Sequence, residues 1–455
     1  MTIIERKENI GIGISGHTTA KITSQHGAIY HYLKDQYGLD FAKNYFLANE
    51  EAIFNIENII KENNIDCDFE KQSSFLYSTS KDEEIKLKNE FDAVSKINKE
   101  AKLRTDVKLP LEITSAIEFP NQAMFNPYKY INALADKITK QDGDIFVNTT
   151  CYDVDKENDM YVCKTENNNI YAKNVVIATH YPFLNIPGFY FSKIYQSSSY
   201  VIAISLEGTK WNKDFDGMYI NIEKPIYSFR KVNFNGENLL LLGGGGHKTG
   251  EMQEKDIGYN SLIEAVKKWF PDCKIKYKWS ANDCISLDKI PYIGEFSSLY
   301  PNIYVGTGFN KWGMTSSYVA GKIVSDKILE KENKYEDIFK ATRTNFFVNK
   351  GEVKNMVTDT LKAQVVDRVK EENNSKPEKE EGKIIERNGE KIGVYIDENG
   401  KTFAVKPVCT HLGCILSWNK EDKTWDCPCH GSRFDYTGKQ IENPAIKDLE
   451  QVGFD

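Results

Sequence analysis

The sequence has no apolar run approaching the roughly twenty residues that a membrane-spanning helix needs, which argues against a membrane span of that kind. Positive charge is not in excess either. Lys and Arg number 59 against 66 Asp and Glu, the net charge is −7, and no long basic run interrupts that balance. Nucleic acid is therefore not expected as a partner. No charged n-region followed by an apolar stretch opens the chain, so no secretory signal is expected. Of nine cysteines, five stand singly: Cys67, Cys151, Cys163, Cys273 and Cys284. Scattered cysteines of this kind are usually reduced, buried small hydrophobes, and the expected location is the cytoplasm.

What is present is ample for folding. At 455 residues, 40% hydrophobic and 27% charged, the chain is long enough for two or three domains with sizeable cores. The densest chemistry lies near the end, in CTHLGC (Cys409–Cys414) and CPCHGS (Cys427–Ser432). Each box offers a mixed pair, Cys409 with His411 and Cys427 with His430. Two thiolates can hold one iron and two neutral imidazoles the other, the Rieske [2Fe–2S] arrangement. A structural zinc site draws on the same residue types, but zinc boxes usually open Cys-x2–4-Cys or His-x3–5-His. Gly413 and Gly431 permit close backbone approach, and Pro428 stiffens the second turn.

This stretch resembles the respiratory-complex Rieske proteins. The resemblance implies a disulfide between Cys414 and Cys429, two free thiols being the alternative. It also implies hydrogen bonds to the cluster sulfurs from a Ser and a Tyr. Ser432 matches the first, but Phe434 stands at the Tyr position, so one donor is missing. A lost donor lowers the potential, and the acids Asp426 and Asp435 beside the second box point the same way.

At the other end, MTIIE (Met1–Glu5) reads as a strand ending in an acid. In a dinucleotide-binding unit the acid that binds the ribose ends the second strand, about twenty residues after the glycine loop. Glu5 fits that acid, so the first strand and phosphate loop are expected upstream of Met1, as a truncated gene model would leave them, and FAD binding by the chain as written is expected to be weak. Gly11-Ile-Gly13-Ile-Ser-Gly16 satisfies G-x-G-x-x-G, but no strand follows it at the required place. It reads as a glycine-rich loop.

SGHTTAKITSQHG (Ser15–Gly27), NVVIATHYP (Asn174–Pro182) and CISLDKIPYIGEF…NIYVGTGFNKWGMTSS (Cys284–Ser317) resemble FAD-dependent oxidoreductases of the D-amino-acid-oxidase type, and more specifically the bacterial subgroup with a C-terminal Rieske domain. The resemblance implies flavin contacts from Ser15, Gly16, His17, Thr18 and Thr19, and from Gly306, Gly308, Phe309, Gly313, Met314 and Thr315. A helix opening near Gly313 would direct its free N–H groups at the reduced flavin. Tyr227 and Arg230 sit where that family grips a substrate carboxylate; an exposed strand Arg is the plain alternative. His26 and His31, spaced as H-x4-H, lack the accompanying acid of an iron site and read as helix-face or cofactor-contacting residues.

The expected fold is an α/β flavoprotein: an N-terminally incomplete Rossmann-like FAD-binding domain with an antiparallel substrate sheet, then a small all-β Rieske domain. Residues 1–345 form the flavoprotein region, with FAD-binding parts at about 1–64, 120–190 and 280–345 and substrate or cap parts at about 65–119 and 191–279. An amphipathic helix and charged linker fill 346–382, and residues 383–455 form the Rieske domain. Helices are expected between Phe41 and Lys102 around a strand at Phe69–Ser78, irregular chain at Pro110–Pro127, a helix at Phe125–Lys140, and a hairpin of DIFVNTTCYDV with MYVCKT. The two cofactors imply electron traffic: oxidation of a small amine-like substrate at the flavin, with single electrons leaving through the cluster to an unidentified acceptor. Reversed flow from an external donor, or a non-catalytic electron-transfer or redox-sensing role, are the alternatives.

Overall fold

A computed structural model describes residues 1–251, 258–343 and 375–454. Its largest element is a sheet of nine strands. From one edge inward run Ile275–Ser286, Ile194–Ser205, Glu237–Lys248, Ser228–Phe234 and Met218–Asn221, continuing through Glu70–Ser78, Ser115–Met124 and Lys21–Ile22, with Lys102–Arg104 beside Ser115–Met124. Aromatic and β-branched residues fill these strands, as a half-buried pleated surface favours. Met218–Asn221 pairs in parallel with Glu70–Ser78, while the other neighbours are antiparallel. The amphipathic helix Tyr259–Trp269 covers one face and buries Leu262, Ala265 and Val266 against Leu240, Leu242 and Phe229.

Ser115–Met124 corrects the expectation of irregular chain there. Register against Glu70–Ser78 shifts so that Pro120 and Asn121 oppose Ser73 alone. Pro120 therefore sits in a bulge, where its missing N–H breaks no ladder bond. The helices fall nearly where periodicity puts them, at Leu39–Glu62, Lys81–Ile97 and Pro127–Thr139. Asn126 caps the last by accepting from Lys129 N, with Pro127 in its first turn. The hairpin expectation needs division. Cys151–Glu157 pairs with Met160–Thr165, but Asp144–Phe146 leaves it and lies parallel to Thr2–Ile4.

A second parallel unit joins Val175–Ile177 to Ile303–Thr307, with Tyr292–Glu295 antiparallel beyond. Ile4 and Val175 pack on one apolar cluster with Ile177, Val305 and Tyr292. Thr2–Ile4 and Val175–Ile177 each have one hydrogen-bonded neighbour among the described residues. Deep under the second unit, Arg343 binds Asp288 through two nitrogens, at 2.7 and 2.9 Å.

The C-terminal region is two small antiparallel sheets around Trp425, which is fully buried, with Val405, Leu416, Phe434 and Leu449. Hairpins turn at Asn388-Gly389 and Asn399-Gly400, with Asn388, Gly389 and Gly400 at positive φ. The expected helix at 347–369 and the first part of the linker, to residue 374, lie outside the described residues. No described helix is long and apolar enough to cross a membrane.

Candidate functional site

Two loops of the C-terminal region carry the densest site. The first turns at Gly413 and the second at Gly431, both at positive φ; Gly413 N bonds Cys409 O, and Gly431 N bonds Cys427 O. A disulfide joins Cys414 to Cys429 and ties the loops together. That leaves Cys409, His411, Cys427 and His430. The His411 and His430 rings are 5.0 Å apart and nearly perpendicular. Both Nδ1 atoms are buried and lack a hydrogen-bond partner, a costly state unless a metal meets them. Burial depresses both imidazoles, His411 to about 4 and His430 to about 3, His411 adding to the shift of His430. Neutral rings are the ligating form.

Within the cysteine pair, Cys409 is held below the usual thiol range. The Cys427 thiol donates to it, and the His411 and Leu412 N–H groups and the Ser432 hydroxyl support its charge; Cys427 is pushed up in turn. No three of the four candidate ligands bring ligand atoms within 4.8 Å of one another; the one described trio that does so is Cys414, Cys427 and Cys429, two of them spent in the disulfide. A tetrahedral zinc with bonds of about 2.0–2.3 Å would need its donors within about 4 Å of each other. Donors spread over two thiols and two imidazoles fit a two-iron cluster.

Ser432 donates toward Cys409 and accepts from Ala445 N at 3.0 Å, while Phe434 is fully buried in the core. One expectation needs correction. Asp426 does not stand as an uncompensated charge, because Arg433 reaches it at 3.1 Å and also meets Asp422 at 2.6 Å and Glu442 at 3.6 Å. The second box therefore carries a buried cation among its acids, which weakens the charge argument for a low potential.

The flavoprotein segments converge separately. Residues 14–17 form one short helical turn. His17 Nδ1 contacts Gly13 O at 2.8 Å, and its carbonyl accepts from Trp279 Nε1 at 2.7 Å. Thr18 Oγ1 accepts from Ala20 N; Ser15 and Thr19 are half-buried and Gly16 exposed. Gly11–Gly16 does not join a strand to a long helix: after it the chain enters Lys21–Ile22 of the large sheet. No described G-x-G-x-x-G loop cradles a diphosphate. Glu5 ends its strand with N bonded to Phe146 O, and its carboxylate accepts from Lys7 N.

At the opposite side, Ile303–Thr307 runs through Gly306 to Gly308 and Phe309, and the helix Gly313–Ile328 begins with no side-chain cap. Its first N–H groups are thus open to a ligand. Met314 packs on the cluster of Ala20 and Ile22; Thr315 Oγ1 lies 3.2 Å from His26 Nε2, and the His26 ring stacks on Trp312 at 4.9 Å. The two segments meet at these contacts. Asn282 Nδ2 and Oδ1 and the neighbouring His180 Nε2 are buried without hydrogen-bond partners, as is Arg230 Nε. His31 pairs instead with Asp35.

Tyr227 and Arg230 are not brought together. Tyr227 lies just before the strand Ser228–Phe234 that carries Arg230. The Tyr227 ring packs edge-on against Trp269, whereas Arg230 is buried with its guanidinium 3.4 Å from the carbonyls of Ala20 and Phe125. Its companion is Lys21, whose Nζ contacts Ser228 Oγ and Tyr219 O. Burial, and then the Arg230 charge, push Lys21 down to about 7. Among the described residues neither cation has a carboxylate ion pair, and Glu70 and Asp68 act on Arg230 only from farther off. Sequence reasoning missed Lys21 inside a quoted segment, and it missed Asn185, Gln196 and Arg433, whose roles arise from contacts distant in sequence.

Comparison with known proteins places these sites in a family. The family described as FAD dependent oxidoreductase (DAO) matches residues 1–327, and the Rieske [2Fe-2S] domain matches residues 366–453. YhfW of Bacillus subtilis (strain 168), whose name describes a Rieske 2Fe-2S iron-sulfur protein, is 37% identical over 451 residues, covering 97% of this chain and 87% of that protein. The cytochrome b6-f complex iron-sulfur subunit 1 of Nostoc sp. is 49% identical over 47 residues, which are 10% of this chain and 26% of that subunit. Glycine oxidase from Geobacillus kaustophilus superposes with a TM-score of 0.60 at 16% identity, over 75% of this chain and 91% of that one. L-proline dehydrogenase from P. horikoshii gives 0.59 at 16% identity, over 77% and 91%. The chain belongs to the FAD dependent oxidoreductase (DAO) family and carries a C-terminal Rieske [2Fe–2S] domain.

Proposed function

We propose that this FAD-dependent oxidoreductase is a dehydrogenase that oxidises a small amine-like substrate bearing an anionic group and sends the electrons, one at a time, through its Rieske domain to a one-electron acceptor. When bound, FAD supplies the two-electron oxidation and the [2Fe–2S] cluster the one-electron carrier. Cys409 and Cys427 would hold one iron and His411 and His430 the other. The observation that carries the substrate reading is the pair of neighbouring cations, buried Arg230 and half-buried Lys21 beside Ser228, with no ion pair to a described carboxylate and only the more distant charges of Glu70 and Asp68 acting on Arg230. Two desolvated cations side by side are unfavourable alone and become favourable around a carboxylate.

Other residues serve the same reaction. Gly243 and Gly244 lie in the strand beside Ser228 and let backbone approach a planar ring. The open N-terminus at Gly313 stabilises negative charge opposite it. Five cysteines outside the boxes are unpaired, which supports a reducing, cytoplasmic setting. The test is anaerobic titration with a panel of amines and amino acids. The expected result is bleaching of the flavin followed by the cluster, with the most effective substrates carrying a carboxylate. Reduction by an external protein donor alone, with no substrate-driven bleaching, would overturn it in favour of reversed flow.

A further inference from the structure

Around the two histidines the cluster loops meet the flavoprotein region, while Thr410 and Leu412 of the first loop stay exposed. His411 Nε2 donates to Asn185 Oδ1 at 2.7 Å. The other ring nitrogen of His430 is directed at the Phe191 carbonyl, and the Phe191 ring meets the His430 ring edge-on at 6.0 Å. Gln196, 1% exposed, donates through Nε2 to three carbonyls of the C-terminal region: His430 at 3.2 Å, Gly431 at 3.1 Å and Asn443 at 2.5 Å. Asn443 Nδ2 returns a bond to Tyr181 O at 3.3 Å.

Glycines stand on both sides of this contact. A Cβ on Gly431 would lie 2.4 Å from Gln196 Cβ, and one on Gly250 would lie 2.3 Å from Pro428 N. Approach this close is built in, since any side chain at either position would force the surfaces apart. The contact also leads inward. Thr307, between Gly306 and Gly308, donates to the His180 carbonyl at 2.6 Å, and five residues on the same loop reaches Asn185.

We propose that residues 180–196 are the exchange partner of the cluster's histidine edge, with Asn185 the positioning residue at the contact. His430 is buried there, and both histidines meet the flavoprotein region of their own chain. The inference rests on the dehydrogenase reading for direction alone. With both cofactors bound, the two electrons removed from substrate would cross this contact singly and pass on to a one-electron carrier protein, while the two protons would go to solvent.

The test uses FAD-loaded, cluster-replete protein with iron and sulfide content verified. Diethyl pyrocarbonate labelling, read by peptide mass spectrometry, is expected to spare His411 and His430 while modifying His31, which is 40% exposed. In Asn185→Leu, and more so in Asn185→Leu with Gln196→Ala, His411 is expected to label about tenfold faster, the scale of one lost buried hydrogen bond. Photochemical reduction of the flavin then replaces substrate. Asn185→Leu is expected to slow the following cluster reduction about tenfold, the same free-energy scale, and Asn185→Gln, which keeps the accepting carbonyl, to restore most of the rate. Wild-type His411 labelling as fast as His31, or cluster reduction unchanged in Asn185→Leu, would overturn the proposal. Neither arm depends on a substrate, so failure of the amine panel would leave this result standing, and the converse also holds.

Discussion

The two redox sites are held in opposite ways. The cluster site is local: four ligands, a disulfide and a supporting serine come from residues 409–432, around a small core. The flavin-facing site is assembled from residues 15–27, 180–230 and 282–315, held by a nine-stranded sheet and helices that have no other reason to meet. A local site depends on its ligands and its metal. A distributed site depends on the scaffold and survives the loss of most single contacts. Small domains with few buried apolar residues lean on such staples, whereas large ones do not.

The largest effect that separates them should come from Cys409→Ser. Visible absorption of the cluster and its paramagnetic signal on reduction are expected to vanish, and the C-terminal region should become protease-sensitive while the flavoprotein region keeps its melting transition. Iron and sulfide retained near stoichiometric amounts would break the comparison at its root. Next come the buried ion pairs. Asp288→Asn leaves Arg343 buried and unpaired, and Arg433→Met strands Asp422 and Asp426; each is expected to cost about 3–5 kcal/mol by denaturant titration. The first loss should appear in the transition of the flavoprotein region and the second in that of the Rieske domain alone.

A smaller effect concerns the buried cations. Burial and the Arg230 charge hold Lys21 near about 7, so it is cationic below that pH and neutral above. Affinity for a simple carboxylate such as propionate should therefore be highest below pH 7 and fall as pH rises through it, with proton uptake on binding near neutrality. Lys21→Met is expected to flatten the profile and weaken binding about tenfold, the scale of one charge-assisted contact. A profile unchanged in that variant would show that Lys21 does not face the ligand. The smallest effect is on potential. Phe434→Tyr should raise it by adding a donor toward the sulfurs, and Ser432→Ala should lower it. Both are read by redox titration at fixed pH.

The difference between the sites also governs how much could be read from residues alone. The four ligands and the disulfide partners lie in two short boxes whose spacing is itself the signal. The flavin segments were visible only as stretches, because strand and helix pattern does not state which face a residue takes. Tyr227 and Arg230 are an example: Tyr227 precedes the strand and packs on Trp269, while Arg230 lies within it and reaches the Ala20 carbonyl. Pro120 concealed a strand because the bulge that accommodates it depends on the partner strand. Asp426 looked like free negative charge because Arg433, seven residues on, gives no hint in one dimension that it folds back onto it.

Gly250 and Gly431 face each other's domains with no room for a methyl group, and this bears on modularity. Two domains joined by a linker are often treated as exchangeable parts. Here the fit is keyed on both sides, so a Rieske domain grafted from another protein would need glycine at the one position and would need to meet glycine at the other. Even with all four ligands intact, a graft lacking that key would fold, bind its iron and sit at the wrong distance. The fusion is a matched pair, and its exchange as a cassette should fail in the distance before it fails in the chemistry.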